Sequence, residues 1–390
     1  MQIAARLVVL AMVCGTGLAA ACPAGASDYR VRYAFQGGGD GAIPSSAPMF
    51  MNGRFYGTTS IGGAYGRGAV VGSVPGGGET VVYSFRGRSQ GDGEQPSGGV
   101  IAVGGKLYGM TYQGGAPQPY YPAGCGTIYA VDPVAGTETV LHRFKCSGDG
   151  SFPAAGLLNA GGTLFGTTTF GGEFGNGAVI AVNPATGAEA VVYSFAGGSG
   201  GASPSSSLIA IGNTLYGTTG SGGAYGLGTV FALNLATGAG TVLHAFQGGS
   251  DGANPSGALL NLGGTLYGTA TGGGPSGAGT VFTVNPATGA EAVLHAFQGS
   301  PGDGSYPQGG LMAAAGTLYG TTWIGGAADA GTVYALDPVS GAVTLLHSFQ
   351  GKAGDGADSQ SALVYVGGRL YGTTAYGGPA NAGTVFSLKP

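Results

Sequence analysis

The chain reads as an all-β, seven-bladed β-propeller of four-stranded antiparallel blades, and three observations predict it. The motif LYGTT or a close variant recurs with its aromatic at Tyr56, Tyr108, Phe165, Tyr216, Tyr267, Tyr319 and Tyr371. That is a period of about 52 residues, in the range of propeller blades. Each unit divides into four strand-length segments separated by turn signals. The chain also starts its first unit out of phase, on a segment that belongs to the last.

Taken in order, the first segment of a unit (A) is typified by LLNL at 259–262, and a Gly-Gly or Asn-Gly turn such as Gly263-Gly264 leads into B, TLYGTA at 265–270. Glycine or asparagine there supplies the positive φ of a tight hairpin. The third segment (C) is GTVFTVNP at 279–286, and NPATG turns it into the fourth (D), AEAVLHAF at 290–297. Proline presets φ and the closing glycine completes the loop. No stretch after the leader shows apolar residues at helical spacing, and 87 glycines in 390 residues work against helix.

Twenty-eight strands in one open sheet would expose long edges, whereas radial repetition protects them. The phase of the array supports closure. Tyr29 to Phe35 (YRVRYAF) is a D segment and Gly383 to Leu388 (GTVFSL) a C segment, so the first strand is expected to complete the last blade.

Residues 1–26 have a signal peptide's layout, with Arg6, the apolar run LVVLAMV and small residues ending in AGA; residues 27–390 form the propeller domain. The expected location is therefore secreted, periplasmic or extracellular. Cleavage before Cys22 with lipid attachment is the alternative. No later segment is long and apolar enough for a membrane span. Cys125 and Cys146 sit at matching ends of one C–D hairpin, with positions that sum to the same value as Val131 and Val140 across its turn. A cross-strand disulfide is expected between them.

Charged residues make up 8% of the chain and the net charge is −4, so no basic surface is available for nucleic acid. Repetition also removes most catalytic candidates. His142, His244, His295 and His347 share one D-strand slot, which Tyr33, Tyr83 and Tyr193 occupy elsewhere; Asp40, Asp92, Asp149, Asp251, Asp303 and Asp355 all precede glycine in the D-to-A connection. Both sets read as architecture, the aspartates as Asp-Gly turns. A calcium ring would need several oxygens per ion. No metal and no cofactor is expected.

Departures from the repeat point to one face, where the B-to-C and D-to-A loops lie. Tyr112, Phe170, Trp323 and Tyr376 fall there, the single insertion adds Tyr120 and Tyr121, and Tyr65, Phe174 and Tyr225 occupy related positions. These aromatics suit stacking on sugar rings; the alternative is that they plug between blades. The nonrepeated acids Glu94, Glu173, Asp329 and Asp358 share that face.

The unit LYGTTxxGG, GTVFxLNPxTG, TVLHxFxGxxDGxxPxxxL resembles the GloVer-type tandem repeat of secreted bacterial proteins over essentially the whole chain after the leader. Kelch blades and quinoprotein repeats are more distantly similar. The resemblance implies a propeller and carries no activity across. GloVer-type proteins often bear anchoring tails, and no such tail follows Lys389-Pro390 here. The sequence thus reads as a monomeric, non-enzymatic recognition scaffold with glycans or an extracellular protein as partner. The runner-up is a glycan-active hydrolase or lyase using a pair from the four acids. A quinone-dependent dehydrogenase is a third reading.

Overall fold

A computed structural model describes residues 28–44, 46–352 and 354–390. The leader and Cys22 lie outside the described residues. Seven antiparallel sheets in A–B–C–D order follow one another around an axis. Blade 5 is representative: Leu260–Leu262 pairs with Thr265–Gly272, then Thr280–Val284, then Glu291–Ala296. Blade 7 closes as its phase predicts. Arg30–Ala34 lies antiparallel on Thr384–Leu388, with Val31 opposite Phe386, and Phe35 N–H donates to the Gly383 carbonyl at 3.0 Å.

The residues that define the repeat are the ones that join blades. The phenylalanine of LHxF is buried in all seven units, from Phe35 to Phe349. In five units it meets the C-strand ring of the next blade edge-on, as Phe246 does Phe282 and Phe349 does Phe386, with ring centres 5.0 and 5.2 Å apart. Such pairs contribute about 1 kcal/mol beyond the area they bury. The LYG glycine makes room for that ring: a Cβ on Gly268 would lie 2.3 Å from Phe282 Cζ. In five units the first threonine of LYGTT donates to the next blade's A segment, as from Thr58 Oγ1 to Gly98 O at 2.9 Å and, across the closure, from Thr373 Oγ1 to Ser46 O at 3.0 Å.

All seven C–D hairpins carry a β-bulge one residue before the His/Tyr slot. At five seams the bulge carbonyl faces the C–D turn glycine of the next blade; a Cβ on Gly289 would come within 2.5 Å of Leu243 O. This bulge corrects the register read from the sequence. Val131 faces Glu138, not Val140, and the extra residue near Leu141 moves the ladder on by one. The Cys125–Cys146 disulfide forms nonetheless, with Cα atoms 5.3 Å apart.

Candidate functional site

The A segments surround an axial cavity of about 760 Å³, to which every blade contributes. Small and uncharged residues line it, among them Ser46, Ser97, Ser206, Ser256, Ser361 and the amides of Gln95, Gln308 and Gln360. Ser60, Gln95 and Tyr112 bring its wall to the B–C and D–A face.

At the rim, one position per blade has the same backbone and a different side chain each time. Ile43, Gln95, Phe152, Ser203, Asn254, Tyr306 and Asp358, in the DGxXP stretch, have φ between 53° and 58°. This left-handed conformation is costly for a residue with a Cβ, most of all for β-branched isoleucine. What holds it is a bond across the seam. Each N–H donates to the residue before the C-strand glycine of the preceding blade, as Gln95 N does to Arg67 O at 2.9 Å and Phe152 N to Cys125 O at 2.9 Å. In six units a proline follows and seats on that glycine, as a Cβ on Gly126 would lie 2.8 Å from Pro153 Cδ; Asp358 is followed by Ser359 instead. No unit puts glycine at this slot, although glycine surrounds it. The repeat masked this ring in the sequence; its signal is a column that never repeats inside a motif that does.

Two sectors of the face are aromatic. Phe152 gathers Tyr112, Tyr121 and Phe170, with ring centres at 5.1, 5.5 and 6.1 Å. Tyr120 stands beside them at the tip of the insertion, 91% exposed. Gln118 and Tyr121 bridge that insertion by paired backbone bonds, and the disulfide fixes its root at Cys125. Across the ring Tyr306 lies 6.2 Å from Trp323. Phe170, Phe174, Tyr65, Tyr225 and Tyr376 are exposed, so they do not plug between blades; the D-strand phenylalanines do that.

The four acids are not equivalent. Glu94 is 2% exposed and bonded to Arg67 at 2.6 Å, with Arg88 at 3.5 Å. Glu173 is an exposed loop residue of blade 3. Asp329 Oδ1 accepts the Gly325 N–H at 2.9 Å. Asp358 is raised above the ordinary carboxylate range by burial and then by the charge of Asp329, with the Trp323 indole beside it pulling the other way.

On the outer rim the histidines and aspartates pair with one another. His142, His244 and His347 lie 3.1 Å from Asp149, Asp251 and Asp355, and His295 lies 2.8 Å from Asp303. Tyr33 and Tyr83 donate to Asp40 and Asp92 in the same way. Each aspartate also accepts a backbone N–H at the end of its D strand, as Asp251 does from Gln247 at 2.7 Å. Burial works to raise the Asp303 carboxyl, but the bonds from His295 and two backbone N–H groups outweigh it and hold it low.

The next blade sends a glutamate toward several of these pairs. Glu138 is pushed up to about 8, first by burial and then by Asp92, with Arg143 and Arg86 opposing. Folding therefore holds a proton that the unfolded chain releases near 4.5. The stability this proton contributes is complete below the unfolded value and is lost as pH rises through about 8. Glu138→Gln is expected to flatten the fall of the thermal midpoint between about pH 4.5 and about pH 8 relative to the parent, while leaving the profile below that window unchanged. Superimposable pH profiles would contradict that assignment.

A family model described as the Gloeobacter/Verrucomicrobia repeat matches residues 16–219, 121–319 and 293–390. The chain belongs to that family. Among solved structures, this Gloeobacter/Verrucomicrobia repeat chain is similar to one in a crystal structure of a nidogen/laminin complex, at 14% identity and a TM-score of 0.47 over 76% of this chain and 93% of that one. It is also similar to TolB from Acinetobacter baumannii, at 15% identity and a TM-score of 0.42 over 70% of this chain and 62% of that one. No curated protein matches it. Among the described residues no helix is long and apolar enough to cross a membrane.

Proposed function

We propose that this is an exported, monomeric, non-enzymatic recognition protein that binds carbohydrate on its B–C and D–A face. The observation that supports the reading is the set of seven non-glycine residues held at positive φ in the D–A connections, one of which, Gln95, lines an uncharged cavity. Keeping a side chain there costs about 1 kcal/mol or more per position. Such strain is retained where the side chain has work to do. Serine hydroxyls and glutamine amides suit a ligand dense in hydroxyl groups. The Phe152 and Trp323 sectors offer flat rings for pyranose faces, and the few charges leave little to recruit an ionic partner.

A glycan-array screen of the purified protein tests this. Trp323→Ala and Tyr112→Ala are each expected to weaken binding of a captured glycan about tenfold, the loss of roughly 1.4 kcal/mol of stacking. Unchanged binding in both variants would exclude this face.

A second reading is favoured by one observation, the raised Asp358 carboxyl acted on by Asp329 beside Trp323. A carboxyl raised by its surroundings beside a second carboxyl is one part of the apparatus of glycoside cleavage. Cleavage of a captured glycan that Asp358→Asn abolishes would establish it; binding with no cleavage leaves recognition as the function.

A further inference from the structure

On the outer rim six of the seven seams repeat one arrangement: the His/Tyr slot of one blade, the aspartate of the connecting loop, and the residue four places ahead of the slot in the next blade; the seam after Tyr193 lacks the aspartate. The third position is Glu79, Glu138, Glu189 and Glu291 at four seams, and Gly240, Val343 and Tyr29 at the others. Where a glutamate is present, two carboxyls share a largely buried space. Both cannot stay ionised without a positive charge between them. At the seams of Tyr33 and Tyr83 the third group is a hydroxyl donating to the aspartate, and a proton on the glutamate meets the requirement.

At the seams of blades 2 and 3 and of blades 4 and 5 the third group is an imidazole. His142, Asp149 and Glu189 bring one ligand atom each to within 4.8 Å of one another, and so do His244, Asp251 and Glu291. His142 Nε2 is 3.1 Å from Asp149 Oδ2 and 3.9 Å from Glu189 Oε2. Edges of about 3.4 Å follow from metal–ligand bonds of about 2.1 Å in a tetrahedron, so the two His142 edges are within about half an ångström of that spacing, and the third edge, inside 4.8 Å, closes by about an ångström or less of movement from each carboxylate. The Glu189 side chain is only 6% exposed. Its Oε1, like that of Glu291, is buried with no protein partner.

We infer that these two seams bind divalent transition-metal ions of the zinc class, one ion each, held by His142, Asp149 and Glu189 and by His244, Asp251 and Glu291. One nitrogen and two carboxylates make a zinc ligand set with water in the fourth position, and the two carboxylates neutralise the ion. The ion clamps adjacent blades at the rim; Cys146 of the disulfide lies in the chain between His142 and Asp149 of the first site, whereas the second site, at seam 4/5, is far in sequence from it. The ammonium of Lys145 acts on Glu189, whereas its counterpart near Glu291 is Gln247, so the second site binds more tightly.

The test uses purified protein stripped with EDTA and titrated with Zn²⁺. Native mass spectrometry is expected to count two ions per chain, with the thermal midpoint rising as Zn²⁺ is added. Glu189→Gln and Glu291→Gln should each lose one ion, and the double variant both, with no Zn²⁺-dependent rise in midpoint. Glu138→Gln should keep two. Cobalt(II) gives a readout on the unaltered protein, a visible absorption band from nitrogen and oxygen ligation. No ion taken up, no cobalt band, or two ions retained in the double variant would overturn the inference.

Discussion

Deleting residues 28–35 is expected to abolish cooperative folding. The cut removes the ladder that pairs Arg30 with Ser387 and Ala34 with Thr384, and it leaves the strand Thr384–Leu388 as an open edge. It also removes Phe35, wholly buried, and the ring of Tyr29, which stacks on His347 at 3.7 Å. Losing one buried phenylalanine costs about 3–5 kcal/mol. Adding the ladder and the second ring brings the loss to the order of the whole stability of a domain, about 5–15 kcal/mol. The exposed edge, with Val385 and Phe386 on it, is a template for pairing with another chain. Size-exclusion chromatography should show aggregate, and the thermal transition should disappear. A monomeric deletion variant melting at the parent temperature would show that blade 7 does not depend on its borrowed strand.

Gly268→Ala has the next largest expected effect. The backbone at Gly268 is ordinary extended strand, so the cost comes from space alone. The added Cβ would meet Phe282 Cζ at 2.3 Å and Leu259 Cδ2 at 2.9 Å, both in the core between blades 4 and 5. Phe282 is pinned by Phe246 on its other side and has no free direction in which to turn. About 3 kcal/mol of destabilisation is expected, at the upper end for overpacked cores, read as a shift of the denaturant midpoint. Gly264→Ala, in the A–B turn where no atom approaches, serves as the comparison and isolates the price of positive φ. A loss at Gly268 no greater than at Gly264 would remove the packing argument.

The same contrast explains how much the sequence made legible. Blade count, strand order and closure by residues 30–34 all followed from periodicity, because each strand's pattern and each turn's glycine are local. The disulfide was legible too, although the register behind it was not; a bulge near Leu141 leaves no mark in the pattern of apolar residues. The aromatic face was found as a set of departures from the repeat. Phe152 was missed, although three of those aromatics meet on it.

By itself the sequence determined the secondary structure and topology of this protein, since hairpin turns and alternating strands depend on residues within a dozen positions of one another. Only the tertiary structure decided what the conserved-looking letters within each unit do. The glycine of LYG reads as a strand weakness and is a socket for a neighbour's ring. The Asp-Gly pair reads as a turn, and its aspartate also fastens a histidine or tyrosine of the preceding strand. Ile43, Gln95 and the five residues like them read as filler, in six units before a proline; seam hydrogen bonds hold them at positive φ, one in every D–A connection. Each of these roles belongs to a contact between units about 50 residues apart, and a partner at that distance is set by the closure of the ring.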